Sequence, residues 1–209
     1  MQAQETPSLV TIDEGPKFYL RSFEANYNIL RLSQNLLSKH KTSQELQVEL
    51  GIHKKYSLVA DLGYAKTNRG KTYDYESKGS YWRVGIDANM SSDVESGNFI
   101  GMGLRYARAN FEDRISYDQT TLDKNGNTLV QGLTYTNSKL TSDWMELVFK
   151  MRVNVWKQFY TGYTLRYQFF NQLDGADNEL QTFDIPGYGK TTQPNSFGFD
   201  YYLGWRINF

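Results

Sequence analysis

Polar and apolar residues alternate along most of this chain, and the alternation falls into eight runs. The last is the clearest. In 196–209, Phe197, Phe199, Tyr201, Leu203, Trp205, Ile207 and Phe209 alternate with Gly198, Asp200, Tyr202, Gly204, Arg206 and Asn208. A period of two puts successive side chains on opposite faces of a β-strand. The same reading predicts strands at 17–27, 43–52, 56–65, 80–90, 98–111, 143–155 and 159–170. The early half of 17–27 does not keep phase, which predicts a bulge or a late start.

The connections alternate in length. Those after the second, fourth and sixth runs are short: "HKKY", "SSDVESG" and "WKQ". The others are long, the longest spanning 112–142 and 171–195. An antiparallel up-and-down meander gathers the short turns at one end and the long loops at the other. That polarity belongs to outer-membrane barrels, with periplasmic turns and extracellular loops. The expected fold is therefore all-β, an eight-stranded antiparallel up-and-down transmembrane β-barrel over 17–209. A flexible segment, 1–16, would precede it, with both termini periplasmic.

Alternation does not say which face meets solvent, since a lipocalin-like soluble barrel alternates too. Three features put the polar face inside. It carries many glycines, including Gly51, Gly63, Gly85, Gly101, Gly103 and Gly162, which suit a crowded position better than an exposed one. Its bases are mostly arginine, whose rigid fork suits desolvated pairing. The apolar face is long enough for the roughly 9–11 residues of a tilted spanning strand. It also carries aromatics toward its ends: Phe159, Trp205 and Phe209 at one, Phe169, Phe197 and Phe199 at the other.

The lumen is then expected to hold a plug of paired charges: Glu49, Asp61, Arg83, Asp87, Arg105, Glu146, Lys150, Arg152, Arg166, Asp200 and Arg206, with Glu24 and Glu45 beside them. Seven acids meet six bases on this face. A conducting ion path is the rival reading of the same set.

Composition removes several alternatives. Among 209 residues, 39% are apolar and the formal net charge is zero, so the basic excess of a nucleic-acid binder is missing. Sixteen Tyr and twelve Phe favour strands. With no Cys, disulfides, thiolate metal sites and a lipid-bearing Cys are excluded. Only His40 and His53 could offer imidazole, so neither a metal nor a cofactor is expected. No run approaches the roughly 18 apolar residues of a spanning helix, a test that is blind to barrel strands. The start, "MQAQETPS", has neither the basic region nor the apolar run of a signal peptide.

Several stretches carry candidate chemistry. In "NILRLSQNLLSKHK", Ile29, Leu32 and Leu36, with Leu30 and Leu37, fall at helical spacing. Arg31, Lys39 and Lys41 add positive charge, as a short interfacial helix on lipid phosphates would. The competing reading extends the first hairpin. His40, with Asp74 and Ser77 of the next long loop, could make an acyltransferase set, although such an enzyme needs an apolar lumen. His53 reads as a turn residue. "LDKNGNT" holds Asn125–Gly126, a strong hairpin signal that would extend the fifth and sixth strands. Asp174, Asp177 and Glu179 read as a solvated acidic loop. "FDIPGYG", 183–189, puts apolar residues in a loop that would fold over the rim or touch a partner.

The ending "YYLGWRINF" resembles the C-terminal assembly signal of outer-membrane barrels, carried by Tyr201, Leu203, Trp205, Ile207 and Phe209. The order of "KGSYWRVGIDANM", "NFIGMGLRYARANF", "SDWMELVFKMRVNVW" and "FDIPGYG" resembles a family of small Bacteroidota outer-membrane proteins of unassigned function, over about 18–209. The resemblance implies an outer-membrane location and contact with membrane lipid, lipopolysaccharide and, during insertion, the barrel-assembly machinery. It brings no activity. The expected function is non-enzymatic: a structural protein, or an accessory subunit of a larger outer-membrane complex such as that machinery. A lipid A-modifying enzyme, a narrow pore or adhesin, and a soluble lipocalin-like barrel stay open as alternatives.

Overall fold

The computed structural model describes residues 19–37, 40–53, 55–70, 73–91, 97–122, 124–125, 128–176 and 181–209. The proposed N-terminal segment 1–16, Lys39, Gly126, Asp177 and Glu179 lie outside the described residues, as does the side chain of Leu37.

Eight long strands form a closed antiparallel ring: β1 (Ser22–Asn28), β2 (Lys41–Gly51), β3 (Tyr56–Gly70), β4 (Asp74–Asn89), β5 (Phe99–Leu122), β6 (Thr128–Trp156), β7 (Phe159–Asp174) and β10 (Asn195–Asn208). Each pairs with its neighbour in sequence, and β10 closes the ring on β1, with Phe23 opposite Ile207. The irregular start of the chain resolves as a late start at Ser22. Closure leaves the ring no free edge, so its backbone amides and carbonyls are satisfied between strands.

The strands outrun their predicted bounds at the long-loop end. The stretch 112–142 is largely the continuation of β5 and β6 into a protruding hairpin, 24 and 29 residues long. Alternation weakens there because neither face of a two-stranded ribbon is covered. At the other end, β6 turns into β7 through Lys157 and Gln158. Lys157 is left-handed (φ 49°), as a tight hairpin requires, and Asn154 Nδ2 donates to its carbonyl at 2.7 Å.

Two small elements occupy the long connections. Between β1 and β2, residues Ile29–Leu37 form α1, which settles the ambiguity there in favour of a helix. Its start is capped by Asn28, whose Oδ1 accepts from the Arg31 amide at 3.1 Å. Between β7 and β10, β8 (Asp184–Ile185) and β9 (Gly189–Lys190) pair as a miniature hairpin. Its turn is Ile185-Pro186-Gly187-Tyr188. The Tyr188 amide bonds the Ile185 carbonyl at 3.1 Å, and Gly187 holds φ 83°. Proline second and a positive-φ glycine third are what a type II turn demands.

"FDIPGYG" therefore neither lies over the rim nor faces outward. It folds into the opening of the ring. Ile185 and Tyr188 are buried against Trp144, Leu140, Phe111 and Tyr81, forming the one apolar cluster among the described buried residues. Trp144 and Tyr188 meet edge-to-face at 5.7 Å.

The two faces of the ring differ sharply. Following the paired register, Phe23, Leu50, Leu58, Ile86, Leu104, Leu147, Tyr167 and Phe197 form one unbroken apolar row through all eight strands, on the outside. Ile86 is 52% exposed and Leu104 60%. Toward the hairpin end this band stops at outward ion pairs: Lys66–Glu76 at 3.2 Å, Lys78–Glu112 at 2.8 Å and Arg108–Asp143 at 3.6 Å. Trp82 and Tyr106, in ring contact at 5.7 Å, sit just inside that border, and Trp156 stacks on Phe159 near the other.

Candidate functional site: a charged interior in two levels

Inside the ring the alternation delivers charge. All eleven residues proposed for the plug point inward: Glu49, Asp61, Arg83, Asp87, Arg105, Glu146, Lys150, Arg152, Arg166 and Asp200 are buried, and Arg206 is half-buried near one mouth. Glu24 and Glu45 are buried with them. The structure sorts these charges into two levels.

The upper level, toward α1, is organised by Arg83 on β4 and Arg166 on β7. Arg83 reaches Glu45 on β2 at 2.6 Å and Glu146 on β6 at 2.8 Å. Arg166 binds Asp200 on β10 at 2.7 Å, and Asp61 and Glu146 at 3.3 Å each. Each guanidinium fork thus ties together strands far apart in the chain. Neutral donors fill the remaining lone pairs: Trp144 Nε1 and Gln168 Nε2 donate to Glu146 at 2.7 and 2.8 Å, and Gln47 Nε2 to Asp61 at 2.7 Å.

The helix supplies a residue of this level that strand alternation could not reveal. The interfacial-helix reading puts Arg31 on lipid phosphates. It instead turns inward, binding Asp200 at 3.1 Å and Glu45 at 3.2 Å and donating to the Tyr81 hydroxyl at 2.8 Å, which in turn donates to Glu45 at 2.6 Å. The pull of two buried carboxylates outweighs that of an interface. Arg31 is the seventh base, so across the two charged levels seven acids meet seven bases. Of the other residues of that stretch, Leu32 and Leu36 are exposed, Ile29 is half-buried, and Lys41, exposed at the start of β2, lies 4.0 Å from Asp184.

The lower level lies toward the short turns. Arg105 binds Asp87 at 2.5 Å, Lys150 binds Glu49, and Arg152 binds Glu24 through both carboxylate oxygens. Phe99, Tyr160 and Tyr202 pack between the cations. Lys150 lies 5.4 Å from the Phe99 ring, and Arg152 5.3 Å from the rings of Phe99 and Tyr160. Taking charges out of water is costly, and only such close, multiply bonded pairing repays it.

Glycines make room for this packing. A Cβ on Gly63 would fall 2.1 Å from the Tyr81 ring, and one on Gly187 2.6 Å from it. Both glycines thus let the backbone approach Tyr81 closely, and Arg83 sits 4.7 Å from its centroid. The Gly187 carbonyl also accepts from Arg83 Nη2 at 2.9 Å and Gln168 Nε2 at 3.2 Å. The β8–β9 hairpin is therefore bonded to the charged level beneath it.

Above, a third polar layer anchors the same hairpin. The Tyr75 hydroxyl accepts from the amides of Phe183 and Asp184 at 3.2 Å and donates to Asp113 at 3.2 Å, while Ser77 Oγ donates to the Asp184 carbonyl at 2.8 Å. Burial pushes the Asp113 carboxyl above its ordinary range. Alternation does not reveal the inward aspect of Tyr75, Ser77 and Asp113, because they lie beyond the apolar band, where the outer face is polar too.

The suggested His40, Asp74 and Ser77 set is not assembled. Ser77 is buried on the inner face of β4, whereas Asp74, three residues away, is exposed on the outer face, and His40 is exposed. An odd spacing on one strand forces that separation. His53 lies in the turn after β2, where its Nδ1 accepts from the Lys55 amide at 3.3 Å. Among the described residues no group of three or more His, Cys, Asp or Glu is arranged to hold a metal ion. No described helix is long and apolar enough to cross a membrane, which leaves strand crossing untouched. The inferred assembly-signal residues Tyr201, Leu203, Trp205, Ile207 and Phe209 all lie on the exposed face of the closing strand or just past its end.

A family model described as a domain of unknown function, DUF6048, matches residues 17–209, and the chain belongs to that family. No curated protein matches it.

Proposed function

We propose that this DUF6048 protein is a non-enzymatic integral outer-membrane barrel, plugged by its own charges, that serves as a structural or accessory subunit of a larger outer-membrane complex. The observation that carries the reading is the inversion of faces. A continuous apolar row encircles the outside while the seven acids and seven bases of the two levels pair inside. In water that arrangement would expose a very large apolar surface, of a kind that monomeric soluble proteins avoid. In a bilayer it meets hydrocarbon, and the tryptophans and tyrosines near the borders of the band meet the headgroups.

On this reading the short turns and both termini are periplasmic and the β5–β6 hairpin is extracellular. The α1 face bearing Leu32 and Leu36 lies against the outer leaflet, beside lipopolysaccharide. The lumen does not conduct, because both levels of charge and the β8–β9 hairpin fill it. The accessory role draws on the protruding hairpin. Residues 117–122 of β5 and 128–140 of β6 have no neighbouring strand beyond their pairing with each other among the described residues. Such edges invite a partner's strand. The barrel-assembly machinery is one partner that this role accommodates.

The experiment is purification from native outer membranes in mild detergent. The reading expects co-migration with another outer-membrane protein, and a folded form that shifts on a gel when boiled. Migration alone removes the accessory role, and recovery from the soluble fraction without detergent removes the membrane reading altogether.

A further inference from the structure

The two charged levels are not separately neutral. The upper one sets four acids (Glu45, Asp61, Glu146, Asp200) against three bases (Arg31, Arg83, Arg166). The lower one sets three acids (Glu24, Glu49, Asp87) against four bases (Arg105, Lys150, Arg152, Arg206). The upper surplus is absorbed by neutral donors, with Trp144, Gln168, Gln47, Tyr81 and the Asn28 amide all donating to its carboxylates.

The lower surplus can be located. Arg105 takes Asp87, Lys150 takes Glu49, and Arg152 takes both oxygens of Glu24. Arg206 is left with second claim on Glu24 at 3.3 Å and two long bonds, to the Ser22 hydroxyl at 3.3 Å and the Gly97 carbonyl at 3.5 Å. Its Nε, the atom that lies 3.3 Å from Glu24, and the Nε of Arg152 are buried without a well-directed hydrogen bond. Both arginines line a cavity of about 260 Å³ at the short-turn mouth, and Lys55 lines it too. Glu24 lines it as well, held by the two arginines, and Arg21, His53, Ser57, Asn89 and Asn208 are among the rest of the wall.

We propose that this mouth cavity is a binding site for a small oxyanion, a phosphate or carboxylate group, seated on Arg206 and Lys55 with Arg152 behind. A planar guanidinium whose present contacts are all 3.3 Å or longer can turn two N–H groups onto the oxygens of such a group. The anion supplies the negative charge that the described residues of the lower level lack, at the mouth where Arg206 is half-buried. The group could belong to a free solute or to the head of an anionic lipid lodged at the mouth. The site stands on its own geometry and does not need the membrane reading.

The test is calorimetric titration of the full-length protein in non-ionic micelles with inorganic phosphate, then with phosphatidylglycerol as competitor. The site predicts saturable binding of one phosphate per chain. Arg206→Gln should weaken it about tenfold or more, as loss of a charge-assisted contact implies. Lys55→Gln, at an exposed turn residue that cannot threaten the fold, should weaken it by a smaller factor. Lys190→Gln, on the opposite side of the molecule, should leave it unchanged. Displacement by phosphatidylglycerol identifies a lipid head as the source, and its failure to compete identifies a free anion. Absence of saturation by wild-type protein overturns the proposal, as does phosphate binding that Arg206→Gln and Lys55→Gln leave intact.

Discussion

Arg83→Met offers the sharpest probe of the plug, because Arg83 is fully buried and tethers three separate parts of the molecule. It bonds Glu45 at 2.6 Å, Glu146 at 2.8 Å and the Gly187 carbonyl at 2.9 Å. Methionine keeps the length and apolar stem but removes the charge and every donor. The upper level would then hold four carboxylates against two guanidinium groups. Glu146 would retain Arg166 at 3.3 Å and its neutral donors, and Glu45 would retain Arg31 at 3.2 Å. Stranding one buried charge of a pair typically costs about 3–5 kcal/mol. The double variant Arg83→Met/Glu146→Gln removes the stranded charge and returns the level to a surplus of one, so it should recover more than half of that loss. The assay is reversible urea unfolding in lipid vesicles, followed by the gel shift of the folded form. With a slope near 2 kcal/mol per molar urea, the single variant should lower the midpoint by about 1.5–2.5 M. A single variant within about 1 kcal/mol of the wild type would mean that the upper level is solvated rather than sealed. A double variant no better than the single would mean that Arg83 acts by packing alone.

Four further outcomes follow from other levels of the structure. Arg31→Gln removes the seventh base but keeps hydrogen-bonding capacity, and because that side chain is partly exposed the loss should be about 1–3 kcal/mol, with faster amide exchange in α1 than in β2. Gly187→Ala puts a methyl against the Tyr81 ring in a positive-φ turn, at about 1–3 kcal/mol, and should expose 176–195 to protease while the ring of strands stays folded. Leu104→Lys places a charge at the middle of the outward band, where a lipid-facing site should lose about 2–4 kcal/mol. Planar bilayers should show no stable open channels from the wild-type protein, and reproducible conductance steps would refute the sealed interior.

The strands were legible because one face of each is apolar and the other is not, so a period of two survives wherever both faces have a fixed environment. Asp61, Arg83, Glu146 and Arg166 could be placed inward by phase alone. What phase could not supply is anything held by an element of a different period. Arg31 sits on a helix, where charge reads as surface, and only its neighbours in space reveal that it completes the plug. Ser77 illustrates the opposite failure. It lies beyond the apolar band, where the outer face turns polar and alternation loses contrast, so its strand position and inward aspect were hidden. The "IPGY" turn was visible as a turn, and its apolar residues as unusual for a loop. Its insertion into the ring depends on Gly63 and Gly187 leaving space around Tyr81, a long-range fit that no local pattern encodes.

The central claim is that the outside of the ring faces hydrocarbon. The chain has no cysteine, so single-cysteine spin labels can be placed without background. Labels at Met102 and Leu104 in the band, and at Arg108 and Glu112 beyond it, would be examined in lipid vesicles for collisions with oxygen and with a water-soluble nickel reagent. The account predicts high oxygen and low nickel accessibility at 102 and 104, reversing by 112. High nickel accessibility at 102 and 104, equal to that at 112, would contradict it.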